Sequence, residues 1–140
     1  RRPRIMASIL KVDTITGVAT AGSIAITGEG NSTTTNLQQG LAKSWLNHKG
    51  SGSGTTIRDS LNTASATDNG TGDYTYTFTN AFSNNDYSFT YCGSHDKHET
   101  TYQMASSDLA TGSHQIQLKN AAGTVTDRDF ICGTFHGDLA

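Results

Sequence analysis

The sequence predicts an all-β protein. The expected architecture is an antiparallel β-sandwich, a jelly-roll-like knob of about seven or eight strands with an extended N-terminal arm. Two stretches and one bias in composition carry this expectation. In DYTYTFTN (73–80), Tyr74, Tyr76 and Phe78 share one face and Thr75, Thr77 and Thr79 the other, the period of two that marks a half-buried strand. DYSFTYCGS (86–94) repeats the pattern with Tyr87, Phe89 and Tyr91. Thr, Ser, Gly and Asn dominate the composition, with one Pro and 16% charged residues. Thr suits the exposed face of a pleated strand, and Gly and Asn suit turns.

The arm is placed at residues 1–32 and the sandwich at 33–140. RRPRI precedes Met6, and Met6 reads as a natural start. Between residues 7 and 30, Ile9, Val12, Ile15, Val18, Ile24 and Ile26 are separated by Thr, Gly and Ala. Short strands are expected near 8–15 and 23–27, pairing with something outside the arm by edge addition; the plainer alternative makes them the first strands of the main domain. Residues 31–40 read as a polar connector with a turn of helix capped by Thr35 or Asn36.

A strand is expected at 42–48, with Ala42, Ser44, Leu46 and His48 on one face and Lys43, Trp45 and Asn47 on the other. Trp45, the single tryptophan, is expected under a neighbouring loop or at a subunit contact, with sugar stacking as the sharper alternative. KGSGSG (49–54) reads as a mobile hairpin loop, residues 55–68 as one strand carrying Ile57 and Leu61, and DNGTGD (68–73) as a tight turn. The two aromatic strands are expected to pair directly through the seven-residue link between them. A strand near 100–105 follows. Then SHQIQLKN points Ile116 and Leu118 inward, NAAGT turns, and the last strand sets Phe130 and Cys132 opposite Ile131.

At 34% hydrophobic residues the core is thin in large aliphatics, so burial against copies of the same chain is expected. The net charge of −2 and pI near 6.2 argue against nucleic acid, which needs a clustered basic surface. No apolar run approaches the ~20 residues of a membrane span, and no signal-peptide core follows the leading arginines. Membrane insertion and secretion by that route are therefore not expected. Cys92 and Cys132 each precede a Gly at the end of a strand-like run. Buried reduced thiols are the default reading, a late disulfide the alternative, and no CxxC spacing suggests a metal.

Catalytic patterns are sparse. There is no G-x-S-x-G elbow, the acids Asp68, Asp73 and Asp86 sit in turn contexts, and GSGSG lacks the Lys and the strand-to-helix setting of a phosphate loop. His95, Asp96, His98 and Glu99 cluster in SHDKHE, with the elements of a His/carboxylate site but no recognised spacing. A solvated loop is the expectation, with no metal and no cofactor. His48, His114 and His136 are expected on the surface.

Two stretches resemble known proteins. MASILKVDTITG (6–17) looks like the start of marine tailed-phage fibre and appendage proteins. Residues 41–82 resemble a module of phage tail fibres through Ala42, Lys43, Trp45, Ile57 to Ser60, Asn62 and Asp68 to Tyr74. The resemblance implies a virion structural protein without catalytic residues, assembled as a homotrimer in the host cytoplasm. The arm would dock on other virion proteins, with Ile9, Val12 and Ile15 as docking candidates. The β domain would face a host-surface glycan or protein through loops 49–54 and 94–101, with His95, Asp96, His98, Glu99 and Tyr102 as contact candidates. A head decoration or head-fibre protein is the alternative, and a carbohydrate-binding or polysaccharide-degrading spike a lesser one. The chain has no coiled coil, β-helical shaft or collagen-like repeat.

Overall fold

A computed structural model describes residues 10–17, 24–27, 34–52, 54–94, 101–103 and 109–140. The chain divides into two compact units, Arg1–Leu37 and Gln38–Ala140.

In the first unit, β1 (Ala25–Thr27) and β2 (Thr34–Asn36) form an antiparallel pair with Ile26 opposite Thr35. Residues 34–36, expected as connector, are therefore a strand. Residues 10–15, expected within a strand, have no ladder partner among the described residues. Their apolar side chains come at uneven spacing, so they present no single face to a neighbour. One helical turn, α1 (Leu37–Gly40), follows.

The second unit holds two four-stranded antiparallel sheets. In the first, the order is β4 (Thr56–Leu61), β3 (Ser44–Lys49), β10 (Phe130–His136), β7 (Ser88–Ser94). In the second it is β5 (Thr63–Gly70), β6 (Asp73–Phe78), β9 (Ser113–Lys119), β8 (Thr101–Gln103). Among the described residues, eight strands in two sheets agree with the seven or eight expected.

The sheets bury their inner faces against each other. Leu46, Ile131 and Phe135 come from the first; Tyr74, Tyr76, Phe78, Ile116 and Leu118 from the second. Phe82 and Tyr87, from the segment linking β6 to β7, complete the core. It is aromatic where the aliphatic count is low. Each large ring removes roughly 150–250 Å² from water, so few residues fill much volume.

The aromatic strands β6 and β7 do not pair. They lie in different sheets and meet across the sandwich, with Tyr76 stacked on Tyr91 at 6.0 Å between centroids. The link between them is no hairpin because Phe82 is buried at 1% exposure and bridges to Leu139. The chain thus crosses the core edge instead of turning back.

The expected strand at 55–68 is also two strands in two sheets. Asn62 breaks it with a φ of 57°, the left-handed region that Asn tolerates better than most residues. Its side chain holds the corner, accepting from Asn80 N at 2.7 Å and donating to Asn80 O at 3.0 Å.

The expected turns at 68–73 and 120–124 are present. Gly72 adopts a φ of 64°, and a Cβ there would stand 2.7 Å from Thr126 O and 2.8 Å from Leu118 O. Both the backbone angle and the space require glycine. Asn120 Oδ1 accepts from Ala122 N and Thr124 N. The loop after β3 is pinned at its first residue. Gly50 is buried, donates to Arg128 O at 2.9 Å and accepts from Tyr74 Oη at 2.5 Å.

Candidate functional site

The outer face of the Trp45-bearing sheet is the most distinctive surface among the described residues. Strand alternation creates it. Ser44, Leu46 and His48 point inward and are buried, so Trp45, Asn47 and Lys49 point out. On β10, Ile131 and Phe135 are buried, and Phe130, Cys132 and Thr134 take the outer phase. On β7 the outer phase holds Thr90 and Cys92.

Register aligns these side chains in rows. Leu61, Trp45, Thr134 and Thr90 stand side by side across the four strands, and Asp59, Asn47, Cys132 and Cys92 form the next row. Together, Trp45, Asn47, Thr90, Cys92, Cys132 and Thr134 line a shallow groove of about 390 Å³. Its flanks are apolar: Leu61 is 48% and Phe130 53% exposed.

A bulge equips one edge of this face. Asn47 opposes Asp59 while His48 opposes Ile57, which leaves Arg58 as the extra residue of β4. The Arg58 guanidinium lies 4.3 Å from the centroid of the Phe130 ring and Nη1 donates to Asn47 Oδ1 at 3.2 Å. The cation covers part of an exposed ring without neutralising the face. Sequence alternation already set Trp45 on the face opposite Leu46 and His48, and Cys132 on the face opposite Ile131, without saying which face is outer. It missed Arg58, because a bulge leaves no mark in a period of two.

Cys92 and Cys132 are both reduced, Cys92 exposed and Cys132 half-buried. The expectation of buried thiols does not hold, since the inner phase of both strands is taken by Tyr91 and Ile131. Burial, and next the neighbouring Cys92, push the Cys132 thiol above its usual value.

Two of the histidines expected on the surface are in the core. His48 and His114 are fully buried, whereas His136 is exposed. The signal was phase: His48 falls in step with Leu46, and His114 with Ile116 and Leu118. Each meets a tyrosine hydroxyl, His48 Nδ1 at 3.3 Å from Tyr76 Oη and His114 Nδ1 at 3.2 Å from Tyr87 Oη. Burial, reinforced by Arg58 and opposed by Asp68, lowers the His48 pKa from 6.5 to about 4. Both are structural parts of the aromatic core.

His95, Asp96, His98 and Glu99 lie outside the described residues, as does Ile9. The Tyr102 backbone sits in β8 opposite Leu118. Val12 and Ile15 are 52% and 56% exposed. Among the described residues no three His, Cys, Asp or Glu side chains are grouped to hold a metal. No helix among them is long and apolar enough to cross a membrane. Compared with family models, curated proteins and solved structures, the chain finds no match.

Proposed function

We propose that the chain is a virion structural protein, a homotrimeric phage tail fibre or appendage protein that contributes to host attachment. The observation that supports this reading is the apolar outer face of the Trp45 sheet. Leu61, Trp45 and Phe130 line one side of a domain whose other sheet buries its apolar residues inward. Leu61 and Trp45 are neighbours in register, and exposed apolar side chains gathered on one face mark an interaction surface. In this reading two copies cover the face in the trimer, and the eight-stranded domain is a jelly-roll-like knob in the loose sense that two sheets enclose one core. The segment preceding it, with exposed Val12 and Ile15, docks on other virion proteins. The resemblance of residues 6–17 and 41–82 to phage fibre proteins supplies the biological setting. The particle is assembled in the host cytoplasm, and the chain works without catalysis or cofactor.

Two measurements test the proposal. Sedimentation equilibrium of the purified chain is expected to give the mass of three copies; a monomer at micromolar concentration would remove the trimer. Immunogold labelling of intact particles is expected at the tail. Label over the head would replace the attachment reading with head decoration or a head fibre, and unlabelled particles would end the virion reading.

A further inference from the structure

We infer that Cys92 and Cys132 form a reversible dithiol–disulfide site on the outer sheet face, closed by exchange with a low-molecular-weight disulfide. The inference stands on strand register and exposure, and is independent of the proposed function.

The two residues are direct partners in the β7–β10 ladder. Residues directly opposed across antiparallel strands have Cα atoms roughly 4.5 or 5.5 Å apart, depending on the type of pair. Both separations fall within the roughly 4.4–6.8 Å that a disulfide spans. The side chains are on the same face of the sheet, both lining the groove. Four paired positions on one side of the cysteines and two on the other keep the register, so closure needs no strand slippage.

Access is the second requirement. The pair lines an open groove, and Cys92 is exposed while Cys132 is half-buried. That asymmetry sets the order of events. The Cys92 thiolate attacks one sulfur of oxidised glutathione; a new S–S bond forms, the old one breaks, and one glutathione thiolate leaves. The Cys132 thiolate then attacks Cys92 Sγ within the mixed disulfide and expels the second glutathione. The two protons lost by the cysteines pass through solvent to the two departing glutathione thiolates. Two cysteines are oxidised and one disulfide is reduced to two thiols. Because burial and the adjacent thiol hold Cys132 in its protonated form, the second step accelerates as pH rises.

The site has a structural consequence. The bond would close a loop of about 40 residues and tie β7, an edge strand, to its neighbour. Constraining a loop of that size in the unfolded chain is expected to raise Tm by roughly 10 °C.

The test uses the full chain, purified reduced and exposed to oxidised glutathione without denaturant. Free thiols are titrated and intact mass is measured in parallel. The expected result is the paired loss of both thiols, a mass lower by two hydrogens, no retained glutathione and a single chain on a non-reducing gel, all reversed by dithiothreitol. In the Cys92→Ser and Cys132→Ser variants the remaining thiol is expected to keep a glutathione adduct. Stable glutathione adducts on the native chain, unreacted thiols, or covalently linked chains would each overturn the inference. The native-chain measurement stands whether or not the variants fold.

Discussion

The ring of Tyr91 occupies the space that a side chain at Gly133 would need. The two residues are partners across the β7–β10 ladder, and a Cβ built on Gly133 would overlap Tyr91 Cε1 and Cδ1. The ring is stacked on Tyr76 and, at 5.5 Å between centroids, on His114, partners in the facing sheet. A glycine in a central strand is costly alone; here an aromatic neighbour covers its backbone. Gly133→Ala is expected to destabilise the domain by about 1–3 kcal/mol, the range for overpacking a closed core. Urea unfolding measures it. An unchanged midpoint would mean that Tyr91 moves aside freely.

His48 makes stability depend on pH. In the unfolded chain its imidazole takes up a proton near 6.5; in the native core it does so near 4. Between these values the unfolded state binds more protons, so stability falls as pH falls through that window. The contribution is fully present above 6.5. Its loss down to pH 4 amounts to about 3 kcal/mol. Urea midpoints at pH 7, 5.5 and 4 are expected to decline steeply in the native chain and less steeply in His48→Gln. Equal slopes would remove His48 from the explanation.

Tyr74 latches the β3–β4 end of the sandwich. Its single hydroxyl proton is shared between Gly50 O at 2.5 Å and Asp127 Oδ1 at 2.9 Å, and Asp127 Oδ1 also accepts from Gly72 N at 2.7 Å. Burial first, then the Asp127 carboxylate, raise the Tyr74 pKa far above that of a free phenol; burial does the same for Tyr76. Tyr74→Phe is expected to cost about 1–3 kcal/mol by leaving buried acceptors without a donor. In an alkaline ultraviolet titration, both phenols are expected to stay protonated until the fold opens. Smooth ionisation of all five tyrosines near pH 10 with native circular dichroism would contradict this geometry.

The outer face makes its own prediction for assembly. If Trp45 and Phe130 meet neighbouring copies, Trp45→Lys is expected to weaken the trimer by tenfold or more in dissociation constant while leaving the monomer fold intact, because neither side chain belongs to the buried core. Sedimentation over a concentration series, with circular dichroism as control, measures it. A trimer of unchanged affinity would move the subunit contact elsewhere.

Much of this fold was legible in the sequence because alternation is strict where one face is buried. Tyr74, Tyr76, Phe78, Ile116, Leu118 and Ile131 all point as their phase requires. What alternation does not encode is which strand lies beside which. The pairing expected between the two aromatic strands failed because Phe82, a single residue in a polar link, is anchored in the core. The corner at Asn62 was hidden because one left-handed residue interrupts a strand without altering its composition. Of the expected contact residues, Val12 and Ile15 are exposed; the face built by Trp45, Arg58 and Phe130 emerges only once the register is known.

The neighbour of β3 has a consequence for synthesis. β3 begins at Ser44, and its partner β10 ends at His136. β10 is also the strand that joins β3 to β7. While the chain emerges from the ribosome, β3 and β7 therefore have no common partner, and the Trp45 sheet cannot close until β10 itself has been translated. Pairing over such a separation in sequence is slow. For that interval the nascent chain carries both unpaired edges and the aromatic side chains of its future core, the state in which chains most readily associate wrongly. A stop codon even shortly before Phe130 would release a chain permanently in that state.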